Sequence, residues 1–320
     1  MLIRFLLGIA LGFLACGMSA KAETVAERLG YPADAKLLII HGDDIGMCHS
    51  ANASAIDALE KGIVTCGSVM VPCPWFLEIA DYSRHHPEAD LGLHLTHTSE
   101  WKYYRWRPLA PLAMVKGLLD ADGYMHGGVR DVYGSASVQE VEAETRAQIE
   151  FALQHGMKPT HLDSHMGTLY YNPEYLQMAL RLSEEYDIPL MFFKAKEPFL
   201  QKLPEASRDA FVQLSKSMEQ RGIPLLDAMP AIGKVSVDEM NDAYRQLIKD
   251  IQPGLSLVIL HLADESKEYQ RITGSYPKRL AEYRIFTDPA MKALIEEEGV
   301  QLIGWKELLP LWKQRTPAKP

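Results

Sequence analysis

The sequence predicts an α/β fold, a distorted TIM-like (β/α) barrel of parallel strands with outer helices, and three observations predict it. Eight short apolar runs of strand length recur along the chain. Amphipathic stretches of helical length separate most of them, the alternation expected of a parallel sheet covered by helices. Four of the runs end in acidic or imidazole side chains, and barrel folds gather their chemistry at the carboxyl ends of strands.

The elements follow in order. Residues 1–22 precede the first run and differ from the rest: Arg4, an apolar stretch over 5–15, then Ala20-Lys21-Ala22. A charged start, a short apolar core and an A-x-A site describe a cleaved signal peptide, and the apolar stretch falls short of the roughly 20 residues that span a bilayer. The expectation is an exported protein, periplasmic or extracellular, with a single domain over 23–320 and no membrane span after cleavage. Strand-like runs are read at 36–41, 65–71, 91–96, 160–164, 188–193, 224–226, 255–261 and 300–303. Helical patterns are read at 50–61, 75–86, 138–155, 173–186, 205–221, 237–251 and 289–298, with Pro173 suited to a first turn and Gly156 to a helix end. No glycine-rich phosphate loop follows the first run, where the chain reads Gly42-Asp43-Asp44-Ile45-Gly46.

Charge excludes some functions. The chain carries a net charge of −9, and loss of residues 1–22 removes Arg4, Lys21 and no acid, leaving −11. So acidic a protein has no electrostatic footprint for nucleic acid and is repelled by anionic lipid. Cys48, Cys66 and Cys73 remain after cleavage, an odd set that forms no full disulfide framework; buried thiols are the simpler reading, with a Cys66–Cys73 bridge as the alternative.

The first run leads into Asp43-Asp44, the third carries His94, the fourth reads His161-Leu162-Asp163-Ser164-His165, and the seventh ends at His261. Positions i, i+2 and i+4 of an extended segment share a face. His161, Asp163 and His165 therefore point together into otherwise apolar surroundings, where they need each other or a metal as partners. Two adjacent carboxylates repel, and a cation relieves that cost. One carboxylate and two imidazoles leave positions open for water and substrate, which suits a catalytic metal. Nitrogen donors favour zinc, or Mn, Co or Ni, over calcium, and Mg enters with the same divalent class. The second carboxylate of the pair is then free as a base, and His261 is placed as an acid.

Taken together, Ile39-Ile40-His41-Gly42-Asp43-Asp44-Ile45-Gly46, Gly92-Leu93-His94-Leu95-Thr96 and Thr160-His161-Leu162-Asp163-Ser164-His165 resemble the YdjC-like carbohydrate deacetylases, relatives of the polysaccharide deacetylases. The resemblance spans about residues 37–305. It implies a distorted β/α barrel and metal-dependent hydrolysis of an N-acetyl group from an amino sugar. Carried over by position, it makes Asp43 the base, Asp44, His94 and His165 the metal ligands, and His261 the general acid. The chain departs from the family where Met166-Gly167-Thr168 follow His165 instead of further histidines. It departs again where Leu262-Ala263-Asp264-Glu265 replace a Pro-Gly after the late histidine, so the sugar is not fixed.

A long connection at about 97–137 clusters Trp101, Tyr104, Arg105 and Trp106 just after the His94 run. Aromatic faces stack on sugars and guanidinium groups bind hydroxyls or acids, so these four, with His161 and Asp163, are the expected substrate contacts; an aromatic plug at the barrel mouth is the competing reading. Partners expected are an N-acetylated carbohydrate and, as a candidate, a second copy of the chain in a homodimer. The alternatives weighed are hydrolysis of another amide, ester or phosphoester, and an inactive glycan-binding barrel.

Overall fold

A computed structural model describes residues 23–196, 199–202 and 205–317; the expected leader, residues 1–22, lies outside the described residues. Leu37, Leu38, Ile39 and Ile40 are fully buried, because their strand is covered on both faces and so reads as one apolar run. That strand, β1 (Lys36–Ile45), is central. Around it lie β2 (Cys66–Val69), β3 (Leu91–Leu95), β4 (Leu162–Ser164), β5 (Gly254–His261) and β6 (Val300–Leu302). All strand pairings are parallel, in the order β4-β3-β2-β1-β5. β6 pairs with the amino half of β1, Lys36 opposite Val300, while β2 takes the carboxyl half, His41 opposite Cys66.

Isolated parallel bridges curl this sheet toward closure: Leu162 with Leu190, Phe193 with Leu226, and Ala228 with Ser256. The result is a distorted barrel. Two expected strands, 188–193 and 224–226, appear only as these bridges. Pro189 and Pro224 each lack the N–H that a ladder needs. The eighth run joins β1 beside β2 and does not take its own place in the ring.

The expected helices form with ends shifted by a few residues at most: His49–Glu60, Phe76–His85, Val138–Gln154, Pro173–Glu185, Glu205–Gln220, Met240–Lys249 and Pro289–Glu297. Val138–Gln154 starts in a capping box between Ser137 and Glu140, and Asn172 caps Pro173–Glu185 through the Glu174 and Tyr175 amides. Tyr276–Phe286 and Trp305–Lys313 were not expected. Lys278, Arg279, Glu282 and Arg284 break up the apolar stripe of the first, and Pro310 interrupts the second. The long connection is tied down by the buried Glu144 carboxylate, which accepts from the Leu109 and Ala110 amides at 3.1 and 2.9 Å. Cys48, Cys66 and Cys73 are buried free thiols. Among the described residues no helix is long and apolar enough to cross a membrane.

Candidate active site

β1 runs to Ile45, four residues beyond its expected end, and carries both Asp43 and Asp44. In a regular strand these neighbours would face opposite sides of the sheet. The register with β2 shifts between Gly42 and Ile45, and Asp44 has φ +62°, a left-handed conformation that is uncommon outside glycine. This irregularity re-aims the chain so that both carboxylates approach one imidazole. His94 Nε2 lies 3.8 Å from Asp43 Oδ2 and 3.5 Å from Asp44 Oδ1.

His165 Nδ1 completes the group, 3.3 Å from Asp44 Oδ1 and 3.2 Å from His94 Nε2. Donors roughly 2.1 Å from a common ion stand about 3.0–3.4 Å apart, so this triangle has the dimensions of a metal ligand set. The tautomers agree with it. His94 Nδ1 faces Asp163 Oδ1 at 2.7 Å and His165 Nε2 faces Glu100 Oε2 at 3.1 Å. With the protons of the neutral rings on those nitrogens, lone pairs are left on the two that face each other. Asp44 Oδ1 is buried with no hydrogen-bond partner, since Arg279 takes Oδ2 at 2.7 Å. Two lone pairs and an orphaned carboxylate oxygen converge on one point, and a divalent cation fits there.

Without a cation the cluster draws protons instead. Burial opposes charging His94, but the carboxylates of Asp163 and Asp43 outweigh it and push the imidazole up to about 9. Burial likewise opposes His165, and Asp44 and Glu100 push it up to about 10. Asp44 is held well below the usual carboxylate range: burial opposes this, and Arg279 and His165 overcome it.

A cavity of about 330 Å³ opens over this cluster, with Asp43, His261 and Arg279 on its polar side and Phe193, Met229 and Ile259 among its apolar walls. Asp43 is opposite His261 in the β1–β5 pairing, so the expected base and acid share one rim. The five positions assigned from the sequence to catalysis and metal binding therefore meet.

The expected substrate contacts fare differently. Trp101 and Trp106 are buried in a second apolar cluster with Met47, Cys48 and Tyr269, and none of the four loop residues lines the cavity. Tyr104 donates to the Met47 carbonyl, and Arg105 is spent inside its own loop on Asp120 Oδ2 and the Met125 carbonyl, both at 2.7 Å. The Trp101, Tyr104 and Trp106 rings pack on one another with centroids 5.3–6.4 Å apart, the arrangement of an aromatic plug. Trp101 contributes from behind, its ring 5.8 Å from the Arg279 guanidinium. His161 is fully buried away from the cavity, and Asp163 lines it while orienting His94.

Sequence reasoning missed His41, Ser68, Glu100 and Arg279. His41 was legible as a polar residue at i−2 from Asp43 within an apolar run, hence on its face. Ser68 Oγ donates to Asp163 Oδ2 at 2.9 Å, and Arg279 sits on the unexpected helix; neither belongs to a motif.

A family model described as YdjC-like protein matches residues 37–297. The chain belongs to this family. Among YdjC-like relatives, a carbohydrate deacetylase of Thermus thermophilus is 31% identical over 277 residues, covering 85% of this chain and 93% of the relative. A chitooligosaccharide deacetylase of Yersinia enterocolitica is 29% identical over 278 residues, covering 85% of this chain and 99% of the relative. A solved structure from Enterococcus faecalis V583, provisionally described as a cellobiose-phosphate cleavage protein, superposes with a TM-score of 0.70 at 26% identity, covering 86% of this chain and 99% of that one.

Proposed function

We propose that this YdjC-like protein is a metal-dependent carbohydrate deacetylase that removes an N-acetyl group from an amino sugar. The observation that carries the reading is the triangle of Asp44 Oδ1, His94 Nε2 and His165 Nδ1, with sides of 3.2–3.5 Å, set beside the separate carboxylate of Asp43. The names of the deacetylase relatives supply the substrate class. A divalent cation held by the three ligands would polarise the acetyl carbonyl and acidify the attacking water; zinc, Mn, Co, Ni and Mg all remain candidates.

The chain's own groups do the rest. Asp43 takes the proton of the water as its oxygen bonds to the carbonyl carbon. His261, as the acid, gives a proton to the sugar nitrogen as the C–N bond breaks, so acetate and a free amine leave. Arg279 holds Asp44 Oδ2, which keeps Oδ1 turned to the cation. Phe193, Met229 and Ile259 offer an apolar wall for the acetyl methyl, and the cavity lies at the small end for ligand sites. Export, from residues 1–22, is part of the proposal and directs it to a periplasmic or extracellular glycan.

The test is acetate release from a panel of N-acetylated oligosaccharides by protein loaded with each metal in turn. Release that needs metal and disappears in Asp43→Asn supports the reading. Phosphate release without acetate, or tight glycan binding with no turnover under any metal, overturns it. The mass of protein recovered from its native compartment reads the cleavage after Ala22.

A further inference from the structure

Beneath the cavity a line of buried polar groups runs from Asp43 toward the opposite end of the barrel, and the reaction described above leaves most of it unused. His41, fully buried on β1, places Nδ1 2.7 Å from Asp43 Oδ1, an ion-pair contact and not a straight hydrogen bond. Its Nε2 meets His161 Nε2 at 2.7 Å. His161 Nδ1 lies 3.0 Å from Thr160 Oγ1, and Thr160 Oγ1 bonds Asp90. Asp90 precedes β3, and its second oxygen accepts from the Lys306 amide at 2.8 Å. Asp163 Oδ2 stands 3.8 Å from His41 Nε2 as a second negative neighbour.

The fold makes room for this line. A Cβ at Gly92 would lie 2.6 Å from the His161 ring, and one at Gly304 would collide with Asp90 Oδ2. The Trp305 ring stacks on His161 at 4.9 Å and 16°, fixing its plane. So many buried polar atoms without water are costly unless each is matched.

Resting on the deacetylase reading, we propose that His41 is the positioning residue for the base Asp43, and that the chain His161–Thr160–Asp90 behind it holds the His41 ring and sets the charge of His41. The chain has two arrangements with equal proton counts. In one, His41 is an imidazolium that faces Asp43 through Nδ1 and donates from Nε2 to His161, His161 donates from Nδ1 to Thr160, and Thr160 donates to an ionised Asp90. In the other every bond reverses: Asp90 holds the proton and donates to Thr160, Thr160 to His161 Nδ1, and His161 Nε2 to a neutral His41. Reversal moves one positive charge away from Asp43 and neutralises Asp90, with no proton entering or leaving. The positive charge that faces Asp43 at 2.7 Å is thus present in the first arrangement and absent in the second.

Burial opposes charging His41, yet Asp43 and Asp163 hold it above the usual imidazole range. Burial raises Asp90 above the usual carboxylate range. His161 between them is pushed low by burial and by His41.

Thr160→Val cuts the chain far from the metal ligands while keeping the side-chain shape, and Thr160→Ser restores the hydroxyl. The expected result is a kcat lower by roughly 10-fold, a fraction of the 10²–10⁴ that a positioned base supplies. KM and bound metal stay unchanged, and Ser recovers the rate. His41→Asn lowers kcat further, with metal retained. If Thr160→Val does not fold, Asp90→Asn, which removes the proton-accepting end, is read for the same drop in kcat. A kcat within twofold of the parent in the folded variant overturns the inference while leaving the deacetylase reading standing. No acetate from the unsubstituted protein sinks that reading itself, whatever the variants do.

Discussion

At the level of single residues the site is organised by division of labour between carboxylate oxygens. Asp44 gives Oδ2 to Arg279 and leaves Oδ1 for a cation, while Asp43 gives Oδ1 to His41 and leaves Oδ2 turned toward His94. Asp43→Asn should therefore lower kcat by about 10²–10⁴ and leave metal content intact, measured by acetate release and metal analysis. Asp163→Asn acts otherwise. Its carboxylate fixes the His94 tautomer at 2.7 Å, so its loss should weaken metal binding by roughly 10–100-fold, read by competition with a chelator. Metal affinity should also rise with pH: His94 at about 9 and His165 at about 10 must lose protons before they can bind a cation. Calorimetry in buffers of differing ionisation enthalpy should show protons released on binding.

At the level of elements, the β1 irregularity and the close approach beneath β3 carry the geometry. Gly92→Ala would press a Cβ onto the His161 carbonyl at 2.5 Å and its ring at 2.6 Å. It should cost about 1–3 kcal/mol, measured by denaturant unfolding. The sequence showed the alternation of strands and helices, and the carboxyl-end positions of Asp43, Asp44, His94, His165 and His261, because periodicity and motif order are local signals. It did not show that Asp43 and Asp44 lie inside a strand, since the left-handed turn at Asp44 falls where the register with β2 shifts, and a register shift is a long-range feature. Arg279 was hidden because its helix lacks a clean apolar stripe. The aromatic loop misled, since the composition that stacks on sugar also packs well on itself.

At the level of the whole molecule, the proposed cation and the pH should both move stability. A cation that binds only the folded cluster should raise the unfolding temperature in a concentration-dependent way, and a chelator should reverse it. Buried His97 adds a pH term. Burial pulls its imidazole down to about 3, so the unfolded chain binds more protons between about 3 and its ordinary 6.5. Its contribution to stability is complete above about 6.5 and is lost as the pH falls toward 3. His97→Gln should flatten the acid side of the melting profile.

The three isolated bridges that carry the wall from β4 round to β5 have a consequence for motion. A seam stitched at single points has few backbone bonds to break, whereas β1 is laced to β5 over eight residue pairs. Phe193 lies on that seam and Met229 beside it, and both face the cavity. Breathing of the barrel should therefore fall on the wall that bounds the cavity. Amide hydrogens over 190–193 and 226–228 should trade for deuterium well before those of β1.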